Sequence, residues 1–156
     1  MSKGPAHRLS AKAIDDLLEQ VVSHAVNSDS IRHSRSLGDP LGLSLVGLHL
    51  VRLKSGRYSS EFHFHHATDE FVYILEGRGK ARIGDNEVDI GAGDCLGFPA
   101  HGPGHVLSNP FDADLLYLCG GNRATNDVCD YPQANQRLYQ SGPERHYEPL
   151  LEDDDT

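Results

Sequence analysis

Apolar and polar positions change their spacing several times along this chain, and each change marks an element. Ile14, Leu17 and Leu18 recur at helical spacing with Asp15, Asp16 and Glu19 opposite, and Ser10 is a natural N-cap. Residues 10–18 are therefore predicted to form a short helix. The helical pattern can be carried on through Val21, Val22 and Ala25, and an extended reading of Val21 to Asn27 fits nearly as well. Asn27 to Pro40 is polar and reads as a solvated loop ending in the Asp39-Pro40 turn. His24, Arg32, His33 and Arg35 cluster around it, and the other use for such a cluster is a pocket mouth or a subunit contact.

From Leu41 the pattern becomes that of strands. Leu41 to Leu53 is apolar at nearly every position, as expected of a strand covered on both faces. A turn at Lys54-Ser55-Gly56-Arg57 follows. Asp69 to Glu76 is β-rich and closed by Gly77. Lys80 to Ile83 and Val88 to Ile90 flank tight-turn chemistry at Gly84-Asp85-Asn86. Gly91 to Asp94 turns into a short strand, Cys95 to Pro99, and Asp114 to Cys119 is the last clear strand. Asn126 to Pro132 reads as irregular, and Glu152 to Asp155 as the acidic end of a mobile tail. Roughly eight to ten short, turn-punctuated strands suit an all-β double-sheet jelly roll. The predicted division is an N-terminal helix and arm (1–36), a barrel (37–132) and an irregular C-terminal extension (133–156).

Composition narrows the partners. A net charge of −9 argues against nucleic acid, whose phosphates demand Lys and Arg. No apolar run reaches the roughly 18 residues of a membrane span. The start, Met1 to Pro5, has no apolar signal region. Cys95, Cys119 and Cys129 are odd in number and lack C-x-x-C spacing, as expected of reduced structural thiols. Composition points to a cytoplasmic protein; a small-molecule ligand and a homodimer are separate expectations.

The candidate chemistry lies in His63-Phe64-His65-His66-Ala67-Thr68-Asp69-Glu70. On an extended strand His63 and His65 point to one face, and four residues leave room for a bend that returns Glu70 beside them. Two such histidines can also be no more than one polar strand face. His105 follows a Gly/Pro turn and opens a short alternating strand, so it can supply a third imidazole. Three imidazoles and a carboxylate suit a first-row divalent metal.

In these residues the chain resembles the cupins, in particular the small single-domain conserved-barrel branch. The first cupin motif is met by Gly56, His63-x-His65, Glu70 and Gly77, with one residue more than usual after Gly56. The second is met by Gly93, Pro99, His105 and Asn109. It departs from the pattern by His101 in a glycine position and by one extra residue before His105. The resemblance covers residues 37 to 132. It implies a jelly-roll barrel with one ion of zinc, iron, manganese, nickel or cobalt on His63, His65, Glu70 and His105.

Such a ligand set leaves about two positions open on an octahedral ion, able to polarise a carbonyl or to activate water or dioxygen. The expected activity is that of a metal-dependent dioxygenase, isomerase or lyase on a small polar or carboxylated metabolite. The alternative is a metal-dependent binding or sensor protein. His101, in the loop before His105, is the candidate general acid or base. Tyr73 and Tyr117 lie on strands, where core packing with a hydroxyl at the pocket rim is expected, and Tyr131 is a candidate cap.

Overall fold

Short alternating segments dominate the chain, and strands dominate the structure. A computed structural model describes residues 6–150. Helix α1 (Ala11–Asp15) precedes thirteen strands: β1 (Gln20–His24), β2 (Asn27–Ser36), β3 (Val46–Leu53), β4 (Phe64–His65), β5 (Glu70–Glu76), β6 (Arg78–Ile83), β7 (Asn86–Gly91), β8 (Cys95–Phe98), β9 (His105–Ser108), β10 (Leu115–Asn122), β11 (Asn126–Tyr131), β12 (Gln136–Ser141) and β13 (Glu144–Pro149). They form a six-stranded sheet ordered β1-β2-β3-β10-β5-β8, a four-stranded sheet ordered β13-β12-β11-β4, and a three-stranded sheet ordered β7-β6-β9. Every paired ladder is antiparallel.

The short helix is present, capped by the Ser10 side chain accepting from Ala13 N–H at 3.1 Å, but it stops at Asp15. The chain is extended from Gln20, so the helical continuation through Val21 to Ala25 does not occur. Asn27 to Ser36, expected as a loop, is a ten-residue strand. Its inner face carries Ser30, Arg32 and Ser34 rather than apolar side chains, so no hydrophobic alternation announces it. Leu41 to Leu45 lie outside β3, with Leu45 exposed. The C-terminal stretch expected to be irregular pairs as β11, β12 and β13 up to Pro149. The acidic end, Glu152 to Asp155, lies outside the described residues.

One end of the barrel is filled. Leu53, Ile74 and Leu115 are completely buried and pack with Val51, Val72, Leu96, Phe98 and Tyr117. Burying each such aliphatic side chain contributes about 1.5–3 kcal/mol. Asn109 ties off this end: its side-chain N–H group donates to Leu53 O and Ala113 O, both at 2.9 Å. Gly77 breaks the chain between β5 and β6 at φ +84, where a Cβ would fall on the Asp114 carbonyl oxygen. The other end is lined by polar groups and stays open.

Candidate metal centre

Four strand segments converge at the open end. His63 and His105 are direct cross-strand partners, joined by His63 N–H to His105 O at 3.1 Å and His105 N–H to His63 O at 2.8 Å. Their side chains therefore rise from one face. His65, two residues on, pairs with Cys129 of β11. Glu70 opens β5 and is flanked by Gly121 of β10 and Phe98 of β8. Gly121 permits the close approach there, because a Cβ at that position would fall on the Asp69 carbonyl oxygen.

The side chains meet around one carboxylate oxygen. Glu70 Oε2 is 2.9 Å from His105 Nε2, 3.4 Å from His63 Nε2 and 3.6 Å from His65 Nε2. The Phe98 ring stacks flat on His105 at 3.7 Å and fixes its plane. Burial pushes the Glu70 carboxyl up, but the hydrogen bonds and charges of His105, His63 and His65 prevail and hold it well below the usual carboxylate range. The group is thus anionic. His105 is shifted below its ordinary value by burial, against the attraction of Glu70. The three sequence-predicted histidines and Glu70 are therefore brought together.

The remaining ring nitrogens are oriented for this arrangement. His65 Nδ1 lies 2.6 Å from Asp127 Oδ2, and His63 Nδ1 lies 2.8 Å from the Glu61 carbonyl oxygen. An acceptor at Nδ1 fixes the proton there and leaves the Nε2 lone pair facing Glu70. His105 Nδ1 is buried without a hydrogen-bond partner. The donor set, two oriented imidazoles and a third beside an ionised carboxylate, fits a divalent transition metal.

Other expected site residues lie elsewhere. Tyr73 stands on the opposite face of β5 from Glu70 and is exposed, so it does not line the cavity. Tyr117 does line it, almost fully buried, and burial raises its hydroxyl pKa. Tyr131 is not among the residues lining the cavity; it is buried with its ring 5.8 Å from His63 and 5.1 Å from His24. His101 is exposed and outside the cavity, its ring 5.1 Å from His66. Its φ of +59 is the left-handed conformation that glycine favours, which accounts for its standing in a motif glycine position.

Cys129 escaped the sequence reading as a neighbour of the centre, whereas His24 and Arg32 belong to the cluster for which a pocket mouth was the alternative use. Cys129 is buried, and its sulfur lies within 4.8 Å of donor nitrogens of both His63 and His65. Burial pushes its thiol up to about 12. His24 is lowered to about 4 by burial, then by the charges of His63 and Arg32. A cavity of about 610 Å³ adjoins the centre, bordered by Arg32, His49, Arg123 and Arg145 as well as Glu70, His63 and His105. His65 is not among its lining residues; its ring lies 5.1 Å from that of His63.

Residues 49–121 match the family model of the cupin domain, Cupin_2. Over the whole chain, two solved structures are similar. A candidate sugar phosphate isomerase from Acidithiobacillus ferrooxidans is 35% identical, with a TM-score of 0.89 over 92% of each chain. A sugar phosphate isomerase of the cupin superfamily from Silicibacter pomeroyi is 31% identical, with a TM-score of 0.80 over 94% of this chain and 98% of that one. The chain belongs to the cupin superfamily. Among curated proteins, this cupin is 31% identical over 70 residues to an uncharacterised protein of Methanocaldococcus jannaschii, and the match spans 48% of that protein's length.

Proposed function

We propose that this cupin is a metal-dependent isomerase acting on a small hydroxy-carbonyl metabolite of the sugar type. The observation that carries the reading is the convergence of three imidazole nitrogens on Glu70 Oε2 beside a cavity of about 610 Å³. The likeness of nearly the whole chain to two proteins named as sugar phosphate isomerases supports isomerisation as the reaction. His63, His65, His105 and Glu70 would hold one divalent transition metal. Such an ion polarises a carbonyl oxygen and so acidifies the neighbouring C–H.

The chain supplies the rest. The proton has to leave one carbon and reach its neighbour. His49, on the inner face of β3, borders the cavity, and burial lowers its pKa below the ordinary imidazole value. It is neutral at pH 7 and able to take up a proton. Phe98, Val72 and Tyr117 wall the inner end and exclude water there.

We also infer a homodimer, on the strength of an exposed apolar face. Phe71, Tyr73 and Leu75 expose 36%, 42% and 38% of their surface on the outer face of β5. Leu118 of β10 pairs with Tyr73, and Leu50 of β3 pairs with Leu118, so the apolar row crosses three strands. A second copy of the same face is the occupant that matches it. Among the described residues no helix is long and apolar enough to cross a membrane. Three free thiols fit the reducing cytoplasm.

The test begins with metal analysis of protein purified without chelator. His65→Ala should lower bound metal at least tenfold, and normal metal in that variant refutes the ligand set. With metal bound, exchange of substrate C–H with deuterated water should be seen across a panel of aldose and ketose phosphates. Saturable binding without exchange would instead identify a binding protein.

A further inference from the structure

The cavity next to the metal centre is cationic in an acidic chain. The chain has 23 Asp and Glu against 14 Lys and Arg. Yet the lining of the cavity includes Arg32, Arg123 and Arg145, and its single carboxylate is Glu70, already engaged by imidazoles. Arg123 is neutralised by Asp39 at 2.5 Å. Arg32 and Arg145 make no ion pair among the described residues.

Arg32 is the one that reaches inside. It projects from the inner face of β2 between Ser30 and Ser34, both buried. Its Nη1 donates to the Ser59 carbonyl oxygen at 2.7 Å, which steers the guanidinium and leaves Nε and Nη2 without a partner among the described residues. Its charge bears on Tyr117 and Cys119 in the cavity wall, and so does that of Glu70. Arg32 thus shares one chamber with the metal centre. Its Nε and Nη2 are open to solvent, so an oxyanion that enters the cavity can reach them.

We propose that Arg32 is the anion-binding residue of the cavity, receiving the phosphate or carboxylate of the substrate on the free edge of its guanidinium while Arg145 adds positive field at the mouth. A guanidinium fork matches both oxyanions bidentately. This rests on the reading of the cavity as a substrate site and adds to it the residue that selects anionic over neutral substrates.

The test uses the full chain after chelator treatment, titrated calorimetrically with inorganic phosphate and, separately, with acetate. The wild type should bind phosphate without metal. Arg32→Met should weaken that binding at least tenfold, whereas Lys80→Met, which removes an equal charge from the surface of β6, should change it less than twofold. Tighter phosphate than acetate assigns a phosphate ester; the reverse order assigns a carboxylate; both keep Arg32 as the subsite if the Arg32→Met loss follows. Should Arg32→Met not fold, Arg32→Lys retains the charge without the fork and should bind at least threefold more weakly than the wild type. Undiminished binding in the folded Arg32 variant, or no anion binding by metal-free wild type, overturns the assignment. Metal content is measured apart from the titration. A wild type that takes up no metal therefore defeats the isomerase reading while leaving the anion result standing.

Discussion

Replacing Asp127 by Asn tests the centre without touching a ligand. Asp127 Oδ2 lies 2.6 Å from His65 Nδ1 and accepts from the Thr68 hydroxyl at 2.9 Å, while Oδ1 accepts from Ala67 N–H at 2.8 Å. Burial pushes this carboxyl up, but the bonds from Thr68, Ala67 and His65 outweigh it and hold it below the ordinary carboxylate range. It is ionised at neutral pH and can only accept, so His65 Nδ1 carries the proton and Nε2 faces Glu70 as a lone pair. In Asp127→Asn the Oδ1 bonds survive, and the new amide N–H group donates to Nδ1. The imidazole proton moves to Nε2, where it blocks ligation. Loss of such an orienting partner lowers metal affinity about 10–100-fold, or about 1.4–2.7 kcal/mol. The assay is competition for Zn²⁺ or Mn²⁺ against a chromophoric chelator at pH 7.5. At metal 100-fold above the wild-type Kd, binding stabilises the wild type by about 2.7 kcal/mol and the variant by about 0.4–1.4 kcal/mol. The Tm gained on adding metal should then be smaller by about 3–9 °C in the variant. Comparing each protein with its own metal-free form removes any direct effect of the substitution. A variant Kd within twofold of the wild type would show that Asp127 does not orient His65, and the reasoning would fail.

Leu53→Ala, at a fully buried position, should cost about 2–5 kcal/mol in urea unfolding; a loss under about 1 kcal/mol would mean that the closed end is not the core. Arg137 donates to both carboxylate oxygens of Asp130, at 2.5 and 2.8 Å, and chiefly for that reason the Asp130 pKa lies below its ordinary value. The folded pKa is below the unfolded one, so this stability is present above about pH 4 and is lost as pH falls through the folded value. Arg137→Met should therefore cost about 1–3 kcal/mol at pH 7 and much less at pH 2; an equal cost at both contradicts the coupling. If the outer face of β5 is the proposed dimer interface, Tyr73→Glu with Leu75→Glu should give a monomer in sedimentation where the wild type is a dimer, while leaving bound metal unchanged. A dimer that persists places the interface elsewhere.

Much of the centre was legible because strand parity is local. His63 and His65 share a face by alternation, and Glu70 and His105 follow turns that the sequence marks with polar, Gly and Pro residues. The same parity could have placed Tyr73: with Glu70 inward, Val72 and Ile74 point in and Tyr73 points out. The rest depends on pairings that no local pattern carries. Asp127 meets His65 from 62 positions away, across a pairing whose far strand, β11, the sequence read as irregular. β2 and β12 show too little apolar alternation to be seen, since β2 turns serines and an arginine inward and β12 buries only Leu138. A strand lining a polar cavity resembles a solvated loop in its composition, and only the paired neighbour distinguishes them.

That difficulty is also the clue to selectivity. A chain with a net charge of −9 repels large polyanions, and nothing in its total charge suggests an anionic ligand. The total is irrelevant inside a cleft. Fields from exposed charges are screened over about 8–10 Å in physiological salt, whereas a low-dielectric wall focuses the charges that line it. Asp39 quenches Arg123 at the rim, but Arg32 has no acidic partner among the described residues. A molecule small enough to enter therefore exchanges a repulsive exterior for an attractive interior, while a nucleic acid strand meets only the exterior. Selection by size and selection by charge become one device, and its active part is the polar strand that looks least like structure in the sequence.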